Sequence, residues 1–194
     1  MLENSLTRPG GRSRRVKEAV FEAFEALLQE QPEQLPTMGQ IAAKAGVNPT
    51  SLYRRWGDAA TLAAAVAGER LMQALPVPDS GALQSDLTGW AYNAARSLSG
   101  PKDGALLRIM ATTAHARQMS DSARPLPIEP RLAELEMMLA RARKRGEIAP
   151  SLWEILEIVL APIYLRILFL GPIEDADVYA AGLVARALKV ATPS

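Results

Sequence analysis

Between Asn48 and Trp56 the chain places Asn48, Thr50, Ser51, Tyr53, Arg54 and Arg55 around two apolar side chains, Leu52 and Trp56. On a helix Leu52 and Trp56 share an inward face, while Pro49, Thr50, Tyr53 and Arg54 spread over the opposite side with Ser51 and Arg55 at its flanks. An arginine fork pairs with a guanine edge or a phosphate, hydroxyls reach bases or backbone, and a threonine methyl can touch thymine. The chemistry on offer is recognition of a nucleic acid, with no covalent bond made or broken.

No catalytic set competes with it. The sequence has one His and no Cys, and it lacks a Gly-rich phosphate loop, HExxH and GxSxG. The carboxylate pairs Glu134 with Glu136 and Glu154 with Glu157 are without the further ligands that a dinuclear helical site requires. Catalytic residues, metals and cofactors are therefore not expected, and an enzyme is not expected either.

The elements that must position Thr50 to Arg55 are legible on both sides. Thr37 can cap free backbone N–H groups, and Ile41, Ala42 and Ala45 follow at helical spacing. Gly46 suits the left-handed backbone that closes a helix, and Val47 is an apolar plug before the next one. Asn48 is then a good N-cap, with Pro49 at the first helical position, where a missing N–H costs nothing.

IAAKAGV followed by SLYRRW resembles the helix-turn-helix of TetR-type bacterial transcriptional regulators. The likeness is strong over residues 12–75 and looser beyond. It implies a three-helix N-terminal DNA-binding domain followed by a variable all-helical domain for ligand binding and dimerisation. By position, it implies that Thr37 caps its helix and contacts phosphate. It also implies that Pro49, Thr50, Ser51, Arg54 and Arg55 reach the groove and that Tyr53 holds a phosphate. Asn48, with Arg12 and Arg14 from the basic N-terminal segment, completes the candidate DNA-binding set. One position departs: many members carry a lysine where WGDAATL has Ala59, although Asp58 still caps the helix that starts there.

Net charge is only +1 over 194 residues, so the chain as a whole is no general polyanion binder. Its charge is uneven, however. Arg8, Arg12, Arg14, Arg15 and Lys17 face Glu3 alone in the first seventeen positions, an arm able to follow phosphates or enter a minor groove. No apolar run follows those charges, so no signal peptide is expected. The stretch 158–170 contains Pro162 and Arg166 and falls short of the ~20 apolar residues of a spanning helix. With no cysteine, the composition suits a reducing compartment, and a cytoplasmic protein is expected.

The predicted fold is all-α with about nine helices: 13–31, the two of the motif, 58–75, 82–99, 103–119, 130–145, 151–170 and 174–191. The expected organisation is a basic arm over 1–12, a DNA-binding domain over 13–57, a connecting helix over 58–75 and a ligand-binding and dimerisation domain over 76–194. PVPDSG marks the boundary, because two prolines and a glycine cannot continue a helix.

The segment LWEILEIVLAPIYLRILFLG is apolar nearly all round, which in a chain that does not span a membrane means contacts on more than one side. Trp153, Leu156, Val159, Leu160, Ile163, Ile167 and Leu170, with Leu183, Val184 and Leu188 of the last helix, are interface or core candidates. The resemblance implies that the last two helices pair with those of a second subunit. A twofold dimer would read inverted half-sites, hence a palindromic operator. The resemblance also implies a small-molecule effector. Trp90, Tyr92, Arg108, Met110, His115, Met119, Met137 and Met138 are candidates to line its pocket, since aromatic and Met side chains adapt to apolar ligands. The rival reading is a helical adaptor that uses its apolar C-terminal helices to bind another protein and no longer reads DNA.

Overall fold

The computed structural model describes residues 10–31, 34–120 and 128–191, with the side chains of residues 10, 12 and 114–120 outside that description. Among the described residues there are nine helical segments and no strand. They are α1 (Gly10–Glu30), α2 (Met38–Ala45), α3 (Pro49–Trp56), α4 (Ala59–Ala74), α5 (Leu83–Leu98), α6 (Pro101–Ser120), α7 (Glu129–Lys144), α8 (residues 152–170) and α9 (Ala176–Ala191). The all-α expectation from helical periodicity therefore holds. The chain divides into two compact units between Val66 and Ala67, inside α4.

The first unit is built on α1, whose Val20, Phe21, Ala23 and Phe24 are buried. Met38, Ile41 and Ala42 of α2, Leu52 and Trp56 of α3, and Leu62 and Val66 of α4 are also buried. The Phe21 and Trp56 rings lie 6.3 Å apart at 45°, within the range of a favourable tilted aromatic pair. An ion pair of 2.7 Å from Lys44 to Glu30 joins the ends of α2 and α1.

In the second unit α9 packs along α5, and α8, α7 and α6 complete the bundle. Trp90, Leu87, Leu106, Leu107, Leu135, Met138, Val159, Ile163 and Leu183 belong to one buried cluster. The N-terminus of α5 has no side-chain cap from Ala82. Glu147 does that work from a distance, accepting the Leu83 N–H at 2.8 Å while holding Arg145 Nε at 2.6 Å. These contacts keep the Glu147 carboxyl below the usual carboxylate range, the Leu83 N–H contributing most.

Helix α8 is not a plain α-helix. It contains two π-helical stretches, Leu156–Leu160 and Arg166–Leu170, on either side of Ala161–Leu165. The first closes just ahead of Pro162, whose ring clashes with an ordinary i−4 carbonyl, so a wider turn relieves it. Burial consequently repeats every fourth residue. Ile155, Val159, Ile163 and Ile167 are buried, whereas Trp153, Glu157, Ala161, Leu165 and Phe169 are exposed. In a plain α-helix a row of fourth residues drifts by about 40° per step, and the wide turns cancel that drift.

No helix among the described residues is long and apolar enough to cross a membrane.

Candidate nucleic-acid interface

The geometry of the motif follows its residue types. Thr37 and Gln40 form a reciprocal cap: Thr37 Oγ1 accepts the Gln40 N–H at 3.3 Å and Gln40 Oε1 accepts the Thr37 N–H at 2.9 Å. Gly46 has φ 65° and ψ 33°. Its N–H reaches Ala43 O at 3.3 Å, and the Val47 N–H reaches Ala42 O at 3.0 Å, the paired closure that a left-handed residue allows. Asn48 Oδ1 accepts the Thr50 N–H at 2.8 Å, and Asp58 Oδ1 accepts the Thr61 N–H at 2.7 Å at the start of α4. Every turn around α3 is thus fixed by a named side chain or by glycine.

That framework turns one face of α3 outward. Asn48, Pro49, Thr50, Ser51, Tyr53, Arg54 and Arg55 are all exposed, Tyr53 by 54%, while Leu52 and Trp56 are buried. Arg55 is the most constrained of the outward residues. Its guanidinium lies 4.9 Å from the Trp56 ring, a cation–π distance, and donates to Ser13 Oγ at 3.4 Å. A groove of about 620 Å³ runs between α1 and α3, lined by Ser13, Val16, Ser51, Leu52, Arg54, Arg55 and Trp56. It presents two cations and two hydroxyls above an apolar floor.

The remaining candidates scatter. Arg14 is exposed on α1 beside this groove's Ser13. The Arg12 side chain and the first nine residues lie outside the described residues, as do the side chains of His115 and Met119. Of the pocket candidates, Trp90, Met110 and Met138 are buried in the second unit's core, and Tyr92 packs against it. Arg108 and Met137 face outward. Trp90 Nε1 and Asp86 Oδ2, on the same helix, are buried without a hydrogen-bond partner among the described residues.

The C-terminal candidates separate just as clearly. Val159, Leu160, Ile163, Ile167, Leu183 and Val184 are buried within the chain itself, Leu156 and Leu188 are partly buried, and Trp153 and Leu170 are exposed. Leu165, Phe169, Val178 and Val190 are exposed by 57%, 78%, 70% and 57%. The composition of α8 did not single out Leu165 or Phe169, because a helix apolar all round does not say which side its own core takes.

The family described as tetracyclin repressor-like, C-terminal domain, matches residues 77–187. The HTH-type transcriptional regulator AqdR of Rhodococcus erythropolis is 31% identical over 149 residues, covering 77% of this chain and 72% of that protein. The uncharacterized HTH-type transcriptional regulator YdeS of Bacillus subtilis is 26% identical, covering 88% and 87%. Among solved structures, that of the TetR family transcription regulator SCO0332 superposes with a TM-score of 0.74 at 25% identity, covering 92% of this chain and all of that one.

Proposed function

The chain belongs to the TetR family of transcriptional regulators, and on that premise we propose that it acts in the cytoplasm as a homodimeric repressor on a palindromic operator. The observation that carries the reading is α3: every polar side chain from Asn48 to Arg55 is outward on a helix anchored by Leu52 and Trp56. Thr50, Ser51, Arg54 and Arg55 enter the major groove, Tyr53 and Thr37 hold phosphates, and Arg12 and Arg14 follow the backbone. Pro49 and Asn48 set the helix at its entry.

Two copies pair through the exposed row of α8 and the outward side of α9. Phe169, Leu165 and Trp153 of α8 and Val178 of α9 supply exposed apolar side chains there. The operator is released when a small molecule occupies the second unit and favours a different head spacing, which requires only that it bind one dimer conformation better than the other. The unpartnered Trp90 Nε1 supports an effector with a hydrogen-bond acceptor.

Selection of binding sites from a random duplex library, followed by affinity against salt concentration, tests the reading. An inverted repeat bound with a steep salt slope is expected. Folded protein that recovers no sequence above background would replace it with the adaptor.

A further inference from the structure

Arg131 stands where local rules disfavour it. It lies in the first turn of α7 (Glu129–Lys144), an end of a helix where a cation is unfavourable, and it is only 5% exposed, where a charge is costly. Burial lowers its affinity for its proton, with Glu134 and then Tyr164 opposing. A residue that breaks two local rules needs compensation from elsewhere.

The compensation comes from the end of α4. Arg131 Nη1 donates to Leu75 O at 2.5 Å and pairs with Glu134 Oε2 at 2.7 Å, while Nη2 donates to Leu71 O at 3.0 Å and Met72 O at 3.4 Å. Those carbonyls belong to the last turn of α4 and the residue after it, the end where a helix runs out of following N–H groups, and Leu71 O also accepts the Leu75 N–H at 3.1 Å. The negative end of α4 suits a guanidinium as the positive end of α7 does not. One side chain thus joins α7 to the end of α4, the helix within which the chain passes from one unit to the other.

We propose that Arg131 is the positioning residue that sets the direction in which α4 leaves the second unit. The proposal rests on the regulator reading above. A planar fork that spans three carbonyls fixes a helix end in rotation as well as position, which a lysine cannot do. Changing which carbonyls the fork holds changes the angle of α4 without unfolding either helix.

The test uses the absence of cysteine from the sequence. Spin labels at Ala43→Cys and Asn93→Cys, both exposed positions, report the distance between the units within one chain when labelled protein is diluted with unlabelled protein. Arg131→Gln is expected to broaden or shift the distance distribution, and Arg131→Lys to give an intermediate one that carries the test alone if Gln does not fold. Leu183→Ala, which opens a cavity in the same unit's core, should lower stability and leave the distribution unchanged. Folded Arg131 variants with the parental distribution would overturn the proposal, and so would a Leu183→Ala distribution as altered as theirs. Affinity for the selected operator should fall on the order of tenfold in Arg131→Gln, the size of a typical coupling. Failure to select any operator would count against the regulator reading, while the distances would still decide the role of Arg131.

Discussion

Ser13 Oγ accepts a hydrogen bond of 3.4 Å from the Arg55 guanidinium, joining the first turn of α1 to the last turn of α3. With Trp56 beneath it at 4.9 Å, Arg55 is held from two sides, whereas Arg54 has no such tether among the described residues. A held arginine enters the groove in one fixed direction, and an untethered one can follow a base edge.

Replacing Arg54 with Ala should therefore relax sequence preference at one operator position, by about 1–3 kcal/mol. Tyr53→Phe should weaken all sequences alike and leave their ranking intact. Titrating each variant against the operator and its single-base substitutions separates the two, and the reverse pattern would exchange their roles.

Phe169→Glu places a charge in the most exposed apolar position of α8 without touching the core. Sedimentation should show the parent as a dimer and this variant as a folded monomer at micromolar concentration. A parent that sediments as a monomer would remove the dimer altogether.

Two glycines in helices should respond in opposite ways to alanine. At Gly104 an added Cβ would lie 2.7 Å from the Leu98 carbonyl oxygen, so Gly104→Ala should destabilise by about 1–3 kcal/mol through overpacking. At Gly89 nothing lies within 4 Å, so Gly89→Ala should stabilise by about 0.5–1 kcal/mol. Thermal unfolding of both variants checks the pair.

Burial pushes the Tyr164 hydroxyl up to about 12 from an ordinary 10.0, with Arg131 opposing. The neutral phenol is favoured in the folded chain, so its contribution to stability is whole below pH 10 and is lost as pH rises toward 12. Tyr164→Phe should flatten the alkaline limb of a stability profile measured by denaturant unfolding. An unchanged limb would show that other groups control it.

The first unit was legible in the sequence because its determinants are local. Thr37, Gly46, Asn48 with Pro49, and Asp58 each act within a few residues, and each makes the contact its type suggests. The break at Gly100-Pro101 was readable for the same reason, with α6 opening on the proline itself. What escaped is nonlocal. Nothing near Leu83 announces that Glu147 will cap its helix from 64 positions away, and nothing near Arg131 announces the carbonyls of Leu71 and Leu75. On α8 a helix apolar nearly all round does not say which side its own core takes, so Val159 and Ile163 stand among interface or core candidates that omit Leu165 and Phe169.

The wide turns of α8 also decide where that helix tolerates a shorter chain. Each holds one residue more than the rise of an ordinary turn requires, so losing a residue from 156–160 would leave Leu165 and Phe169 on their original side, at a cost of about 3 kcal/mol because Pro162 would then meet an ordinary i−4 carbonyl. Losing one from 161–165, where no slack exists, would rotate everything downstream by about 100° and turn Phe169 away from its row. Length variants of this helix should therefore sort by the site of the missing residue, with spare residues stored in the first class and register lost in the second.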